Sequence, residues 1–132
     1  SKADLVAAGL EAVAFQTRDL LTAMQRDMVR SRIPAPSILR VDGGMTANAW
    51  FMQRLADILC QRVEVALNPE TTALGAAYHA GQAAGFFGEA GELEKLWVPA
   101  RAFEPKMSET EREARYGGWL DAVARIRSQG AP

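Results

Sequence analysis

One histidine, His79, and one cysteine, Cys60, leave this chain of 132 residues little material for metal or thiol chemistry. A single thiol forms neither an internal disulfide nor a metal cluster, and it suits a reducing compartment. Charge of one sign is not in excess: 15 basic against 16 acidic residues give a net charge of -1, spread along the chain. That balance lacks the footprint of a nucleic-acid binder, so no nucleic-acid partner is expected. No apolar run nears the ~20 residues that cross a bilayer. The opening Ser1-Lys2-Ala3-Asp4 has no leader pattern. What is present is apolar residues at 48%, enough for the core of one ordinary domain. The chain starts without Met and enters a helical pattern almost at once, as an excised piece, a processed chain or a tagged one would.

Residues 4–29 carry Val6, Leu10, Val13, Leu20, Met24 and Met28 at steps of three, four or seven, which predicts one long amphipathic helix with Asp4 as its N-cap. Ile33-Pro34-Ala35-Pro36 stops it, because proline removes a backbone donor and restricts the residue before it. Residues 37–41 read as a short strand, Asp42-Gly43-Gly44 as a turn, and residues 46–60 as a helix. Residues 62–65 alternate and predict a second strand. Thr71 or Thr72 is placed to cap the next helix, which runs to about residue 84 and ends at Gly85. That helix is built from small side chains: Ala73, Gly75, Ala76, Ala77, Ala80, Gly81, Ala83 and Ala84. Glycine inside a helix costs about 1 kcal/mol against alanine, so its use here points to close approach of a backbone or a ligand.

Residues 86–107 space their apolar side chains irregularly and read as a packed connection with one short helix near residues 92–95. Ser108 followed by Glu111 has the capping-box spacing and opens a last helix over about 109–128, with Tyr116, Trp119, Leu120, Val123 and Ile126 on one face. The expected fold class is α/β, helix-rich, with a short two-stranded sheet. Two strands are marginal alone. They make sense as the end of a larger sheet, with an exposed apolar face where other strands dock and a tendency of the chain to self-associate.

The segment from Val41 to Asn48 carries the candidate chemistry. A strand running through glycines into a helix leaves backbone N–H groups unpaired at the helix start, and the dipole there favours an anion. Asn48 offers a donor and an acceptor suited to the edge of a purine. From pattern alone the plainer reading, a tight turn and a solvated Asn48, is preferred, since the segment is neither a Walker A loop nor a GxGxxG fingerprint. Asp42 serves either a metal through water or the turn itself. His79 reads as structural or surface, Cys60 as a small packing residue, and Tyr116, Trp119 and Phe103 as core. Glu109 and Glu111 suit a helix N-terminus without a catalytic role.

Leu39-Arg40-Val41-Asp42-Gly43-Gly44, with Ala47-Asn48 and Phe51-Met52-Gln53, closely resembles a block of the glycerol kinases, a branch of the FGGY carbohydrate kinases. Thr72 to Tyr78 with Ala80-Gly81 resembles their small-residue helix. Phe103-Glu104-Pro105, Arg112, Tyr116, Gly118-Trp119 and Ala122-Val123 resemble their C-terminal helix. Upstream, Asp4-Leu5 to Glu11 and Ala14 to Asp19 look like the end of the second FGGY signature, with Gly9 where a larger residue is usual. Met45-Thr46 and Ala49 vary from the commonest wording.

The resemblance implies part of a ribonuclease H-like, actin-like ATPase domain. Residues 1–132 would form a partial C-terminal, nucleotide-binding domain, with the N-terminal, glycerol-binding domain absent. The implied cofactors of the full-length parent are ATP and Mg2+, with ATP or ADP and glycerol as partners; a homo-oligomer in the cytoplasm is expected. The family's nucleotide positions map onto Gly44 and Asn48, with Gly43 in the same turn, which reverses the plainer reading. The catalytic Asp base lies upstream in the family, so no catalytic residue and no metal ligand is assigned here, and the chain alone is expected to be inactive.

Overall fold

A computed structural model describes residues 1–68, 70–87 and 97–128. Helix α1 (Lys2–Arg30) leads to strand β1 (Ile38–Val41), a 3-10 turn (Gly44–Ala47), α2 (Ala49–Leu59), β2 (Arg62–Ala66), α3 (Thr71–Ala83), β3 (Pro99–Phe103) and α4 (Glu109–Ser128). The short helix expected near residues 92–95 lies outside the described residues.

The cap of α1 is Ser1, three residues before the expected Asp4. Ser1 Oγ accepts from the Asp4 N–H at 3.3 Å while the Asp4 carboxylate takes the Ser1 ammonium at 2.6 Å, a reciprocal box that places Asp4 inside the first turn. The helix ends ahead of the prolines. Arg32 turns left-handed (φ 57°), and the N–H groups of Arg32 and Ile33 reach back to the carbonyls of Val29 and Met28. Cys60 closes α2 in the same way (φ 51°), its N–H and that of Gln61 returning to Asp57 and Ala56. Cys60 is therefore an exposed chain-reversing residue and not a packing one.

The sheet has three strands, not two, in the order β1-β2-β3. β1 and β2 are parallel and joined through α2; β3 runs antiparallel to β2, with Val63 opposite Phe103 and Val65 opposite Arg101. The sequence of β3, Pro-Ala-Arg-Ala-Phe, hides it. Only Phe103 is even partly buried, so no apolar alternation is needed, and pairing with β2 supplies the order.

The core lies between the sheet and the helices, with Phe51, Met52, Leu55, Ala56 and Ile58 of α2 packed with Val63 and Val65 and with Ala14 and Phe15 of α1. Each fully buried side chain of this size contributes about 1.5–3 kcal/mol. α2 touches α1, β2, β3 and α4. Its one buried carboxylate, Asp57, accepts from Gln53 Nε2 (3.0 Å) and from the backbone N–H groups of Lys106 (2.7 Å) and Met107 (3.2 Å), fixing the entry to α4.

The aromatic residues behave as expected. Phe103, Tyr116 and Trp119 pack on the core, with Phe15 stacked on Trp119 at 5.7 Å. Their polar ends meet Asp19, which accepts from Tyr116 Oη and, at 2.9 Å, from Trp119 Nε1. Burial, then the bond to Asp19, raises the Tyr116 pKa. Beside it Arg18 grips both oxygens of Glu113 (2.9 and 2.8 Å) and covers the Tyr116 ring. Ser108 Oγ accepts from the Glu111 N–H, while the Glu111 side chain turns to Arg115.

On the other face of the sheet, the buried Glu64 accepts from Arg62 Nε (3.0 Å) and Trp97 Nε1 (2.9 Å), and Arg40 lies over the Trp97 ring. The Arg62 bond first, then Trp97, holds its carboxyl below the usual carboxylate range.

α3 differs from the other helices. None of its residues is buried. Glu70 occupies the cap position in place of Thr71 or Thr72, because Asn68 Oδ1 already holds the Glu70 N–H at 2.9 Å and starts the turn one residue earlier. Gly85 (φ 77°) ends the helix as expected, with Phe86 N–H bonded to the Gly81 carbonyl. At Gly81 a side chain approaches, not the backbone or ligand expected: a Cβ there would lie 2.4 Å from the Phe87 ring, and at Gly75 nothing stands within 4 Å among the described residues. Large apolar side chains are exposed, but several of them (Leu5, Val6, Leu20 and Val29) lie on α1 and not on a strand, where docking of further strands was expected.

Candidate functional site: the glycine turn

The turn after β1 is more elaborate than a bend into a helix. Gly43 sits at φ 89°, ψ 176°, a conformation that side chains resist, and Gly44 opens the 3-10 turn. The Gly43 carbonyl accepts both the Thr46 N–H (3.1 Å) and Thr46 Oγ1 (2.7 Å). From β3, an Arg101 guanidinium N–H is donated to the Thr46 carbonyl.

Gly44 does not have a positive φ, and among the described residues nothing lies within 4 Å of where a Cβ would sit. The chain's own packing therefore does not require glycine at this position; a ligand approaching the backbone would. Both glycines are exposed and open onto a depression of about 510 Å³, which Asp42, Thr46, Glu70 and Arg101 also line.

The helix expected from residue 46 starts at Ala49, and Asn48 is its N-cap. Its Oδ1 accepts from the Phe51 N–H at 3.1 Å, so the side chain has a structural task whatever else it does. Its amide nitrogen makes no hydrogen bond among the described residues. Asn48 faces a second, apolar groove of about 420 Å³, beside Trp50 and the α1 residues Ala3, Val6, Ala7 and Leu10. The structure thus joins Gly43 and Gly44 with Asp42 in one depression and sets Asn48 in another, which shares no lining residue with it. His79 is exposed on α3, apart from both.

Sequence reasoning missed Arg101 and Glu70 in the first depression and Trp50 in the second. Trp50 lay two residues from Asn48 and was within reach of a spacing argument. Arg101 becomes visible only once β3 is recognised. Among the described residues, no three His, Cys, Asp or Glu side chains gather to hold a metal ion.

Residues 1–84 match the model of the FGGY family of carbohydrate kinases, C-terminal domain. The chain belongs to this family. The glycerol kinase of Ectopseudomonas mendocina is 53% identical over 127 residues, which are 96% of this chain and 25% of that protein. Among solved structures, Plasmodium falciparum glycerol kinase with ADP superposes with a TM-score of 0.77 at 35% identity, over 91% of this chain and 23% of the other. The xylulose kinase of Rhodospirillum rubrum superposes at 0.72 with 24% identity over 97% of this chain and 25% of that one, a likeness of fold alone. The FGGY chain described here therefore spans about a quarter of the length of these relatives. Its architecture is that of their C-terminal domains, of the actin-like, ribonuclease H-like class. No helix among the described residues is long and apolar enough to cross a membrane.

Proposed function

We propose that residues 1–132 are the nucleotide-binding C-terminal part of a glycerol kinase, a cytoplasmic, homo-oligomeric enzyme that transfers the γ-phosphate of ATP to a glycerol hydroxyl. The observation that carries this reading is the open Gly43–Gly44 turn. Backbone is bared to a groove at a position where the fold itself does not need glycine, and phosphate oxygens pair well with backbone N–H groups at such helix entries. Gly44 lies against the phosphates and the Asn48 amide reads the adenine side. The apolar groove beside Trp50 suits a base, and the glycine-lined depression suits the charged end.

ATP, once bound, supplies the transferable phosphoryl group; the residues of this chain orient it. Mg2+ belongs to the nucleotide and to ligands elsewhere in the parent, as do the glycerol pocket and the group that orients the attacking hydroxyl. The isolated chain is expected to transfer no phosphate.

The test is Gly44→Val in the full-length parent, assayed with ATP and a panel of glycerol, xylulose and gluconate. The KM for ATP rises about tenfold, as loss of one phosphate contact implies, while the KM for glycerol holds. Asn48→Ala mixes the lost cap with the lost amide, so Asn48→Asp, which keeps the capping oxygen, is its companion. An unchanged ATP KM in both variants removes these residues from the site. Turnover of xylulose with glycerol untouched removes the acceptor.

A further inference from the structure

Three strands place one cation beside the glycine turn. The pairing registers align Val41, Val65 and Arg101 in a single row across the sheet. Val41 ends β1 and is followed at once by Asp42 and Gly43, so Arg101 stands two strands away from the start of the turn on the same row. Its guanidinium spans that distance and donates to the Thr46 carbonyl. Thr46 in turn bonds twice to the Gly43 carbonyl. A continuous series of bonds thus runs from β3 to the residue with the left-handed backbone.

A 3-10 turn of four residues has strained hydrogen-bond geometry and little stability of its own. Its shape is set by what holds it from outside. Among the described residues that line the depression, Arg101 is the only cation, and Asp42 and Glu70 line it too. Two unscreened carboxylates would repel a polyphosphate, and the guanidinium offsets part of that field. A planar guanidinium can keep one N–H on Thr46 and turn others to the groove, which a lysine ammonium does less well.

We propose that Arg101 is a positioning residue for the nucleotide: from β3 it holds the Gly43–Ala47 turn in the shape that receives the phosphates. The proposal rests on the nucleotide reading of the turn given above. It adds a strand that the match to the family model, which ends at residue 84, does not reach.

The experiment compares Arg101→Gln and Arg101→Lys with the unaltered full-length parent, with Gly44→Val alongside, and reads kcat and the KM for ATP and for glycerol. Arg101→Gln raises the KM for ATP about tenfold, as loss of a charge-assisted hydrogen bond implies, and leaves the KM for glycerol unchanged. Arg101→Lys keeps a donor and recovers to within about threefold. Partial misfolding would lower apparent kcat without moving either KM, so it does not imitate this result. An ATP KM within twofold of the parent for Arg101→Gln, with Gly44→Val strongly impaired, overturns the role of Arg101 alone. If neither variant moves the ATP KM, the nucleotide reading fails with it.

Discussion

α2 and α3 are consecutive helices of 11 and 13 residues with opposite fates. α2 buries six residues and touches α1, β2, β3, α4 and the 3-10 turn; α3 buries none. Both are apolar in composition, so hydrophobicity does not separate them. Side-chain size does. α2 presents Phe, Met, Leu and Ile, which fill a core from one side. α3 presents Ala and Gly, which gain little from burial unless a partner's backbone comes close. A helix of small residues left bare is expected to be covered by backbone in the full-length parent, since the chain spans about a quarter of its relatives.

The largest expected effect tests the packed side of this contrast. Ile58→Ala empties a fully buried position and costs the chain about 2–5 kcal/mol in urea unfolding. Ala76→Leu on the exposed surface of α3 shifts the chain by less than ~0.5 kcal/mol. In the full-length parent the same change costs about 1–3 kcal/mol by overpacking. Equal costs in chain and parent would mean that α3 is bare in both, and the contrast would lose its explanation.

A finer test stays within α3. Gly75→Ala enters open space and stabilises the chain by about 0.5–1 kcal/mol. Gly81→Ala gains less, because the Phe87 ring, set edge-on to Tyr78 at 5.5 Å, must move aside. Thermal midpoints of the two variants rank them; a larger gain at position 81 would show that Phe87 does not pack there.

The smallest effect is acid loosening of the packed half. Arg18 holds the Glu113 carboxyl below its ordinary 4.5, so this pair stabilises the fold above pH 4.5, and its contribution disappears as pH falls through the lowered value. Glu113 is half exposed, and screening keeps the effect well under ~1 kcal/mol. Urea unfolding of the chain between pH 7 and 3 gives a slope that Glu113→Gln flattens. Hydrogen exchange places the change in α1 and α4 and leaves α3 untouched. An identical slope in the variant would assign the acid response elsewhere.

Much of this architecture could be read from the residues. Four helices, two strands and the glycine turn follow from apolar spacing and from Gly and Pro, signals that act over a few positions. β3 was invisible because its order comes from β2, some 35 residues away, and not from its own Pro-Ala-Arg-Ala-Phe. The same distance hid Arg101. Asn48 shows a different limit: its position was evident, but its Oδ1 bond to the Phe51 N–H depends on the 3-10 turn displacing the start of α2 by several residues. Cys60 and Arg32 adopt left-handed angles that neither residue type favours, fixed by helix ends closing back on themselves.

Asp57 gives the end of the chain a meaning that its exposed surface conceals. A carboxylate sealed inside the protein is tolerable only while donors surround it, and two of its three come from the backbone of Lys106 and Met107. The segment that enters α4 is consequently no removable appendage to the matched family segment: without Lys106 and Met107 a carboxylate would be left stranded in the helix against which α1, β2, β3 and α4 pack.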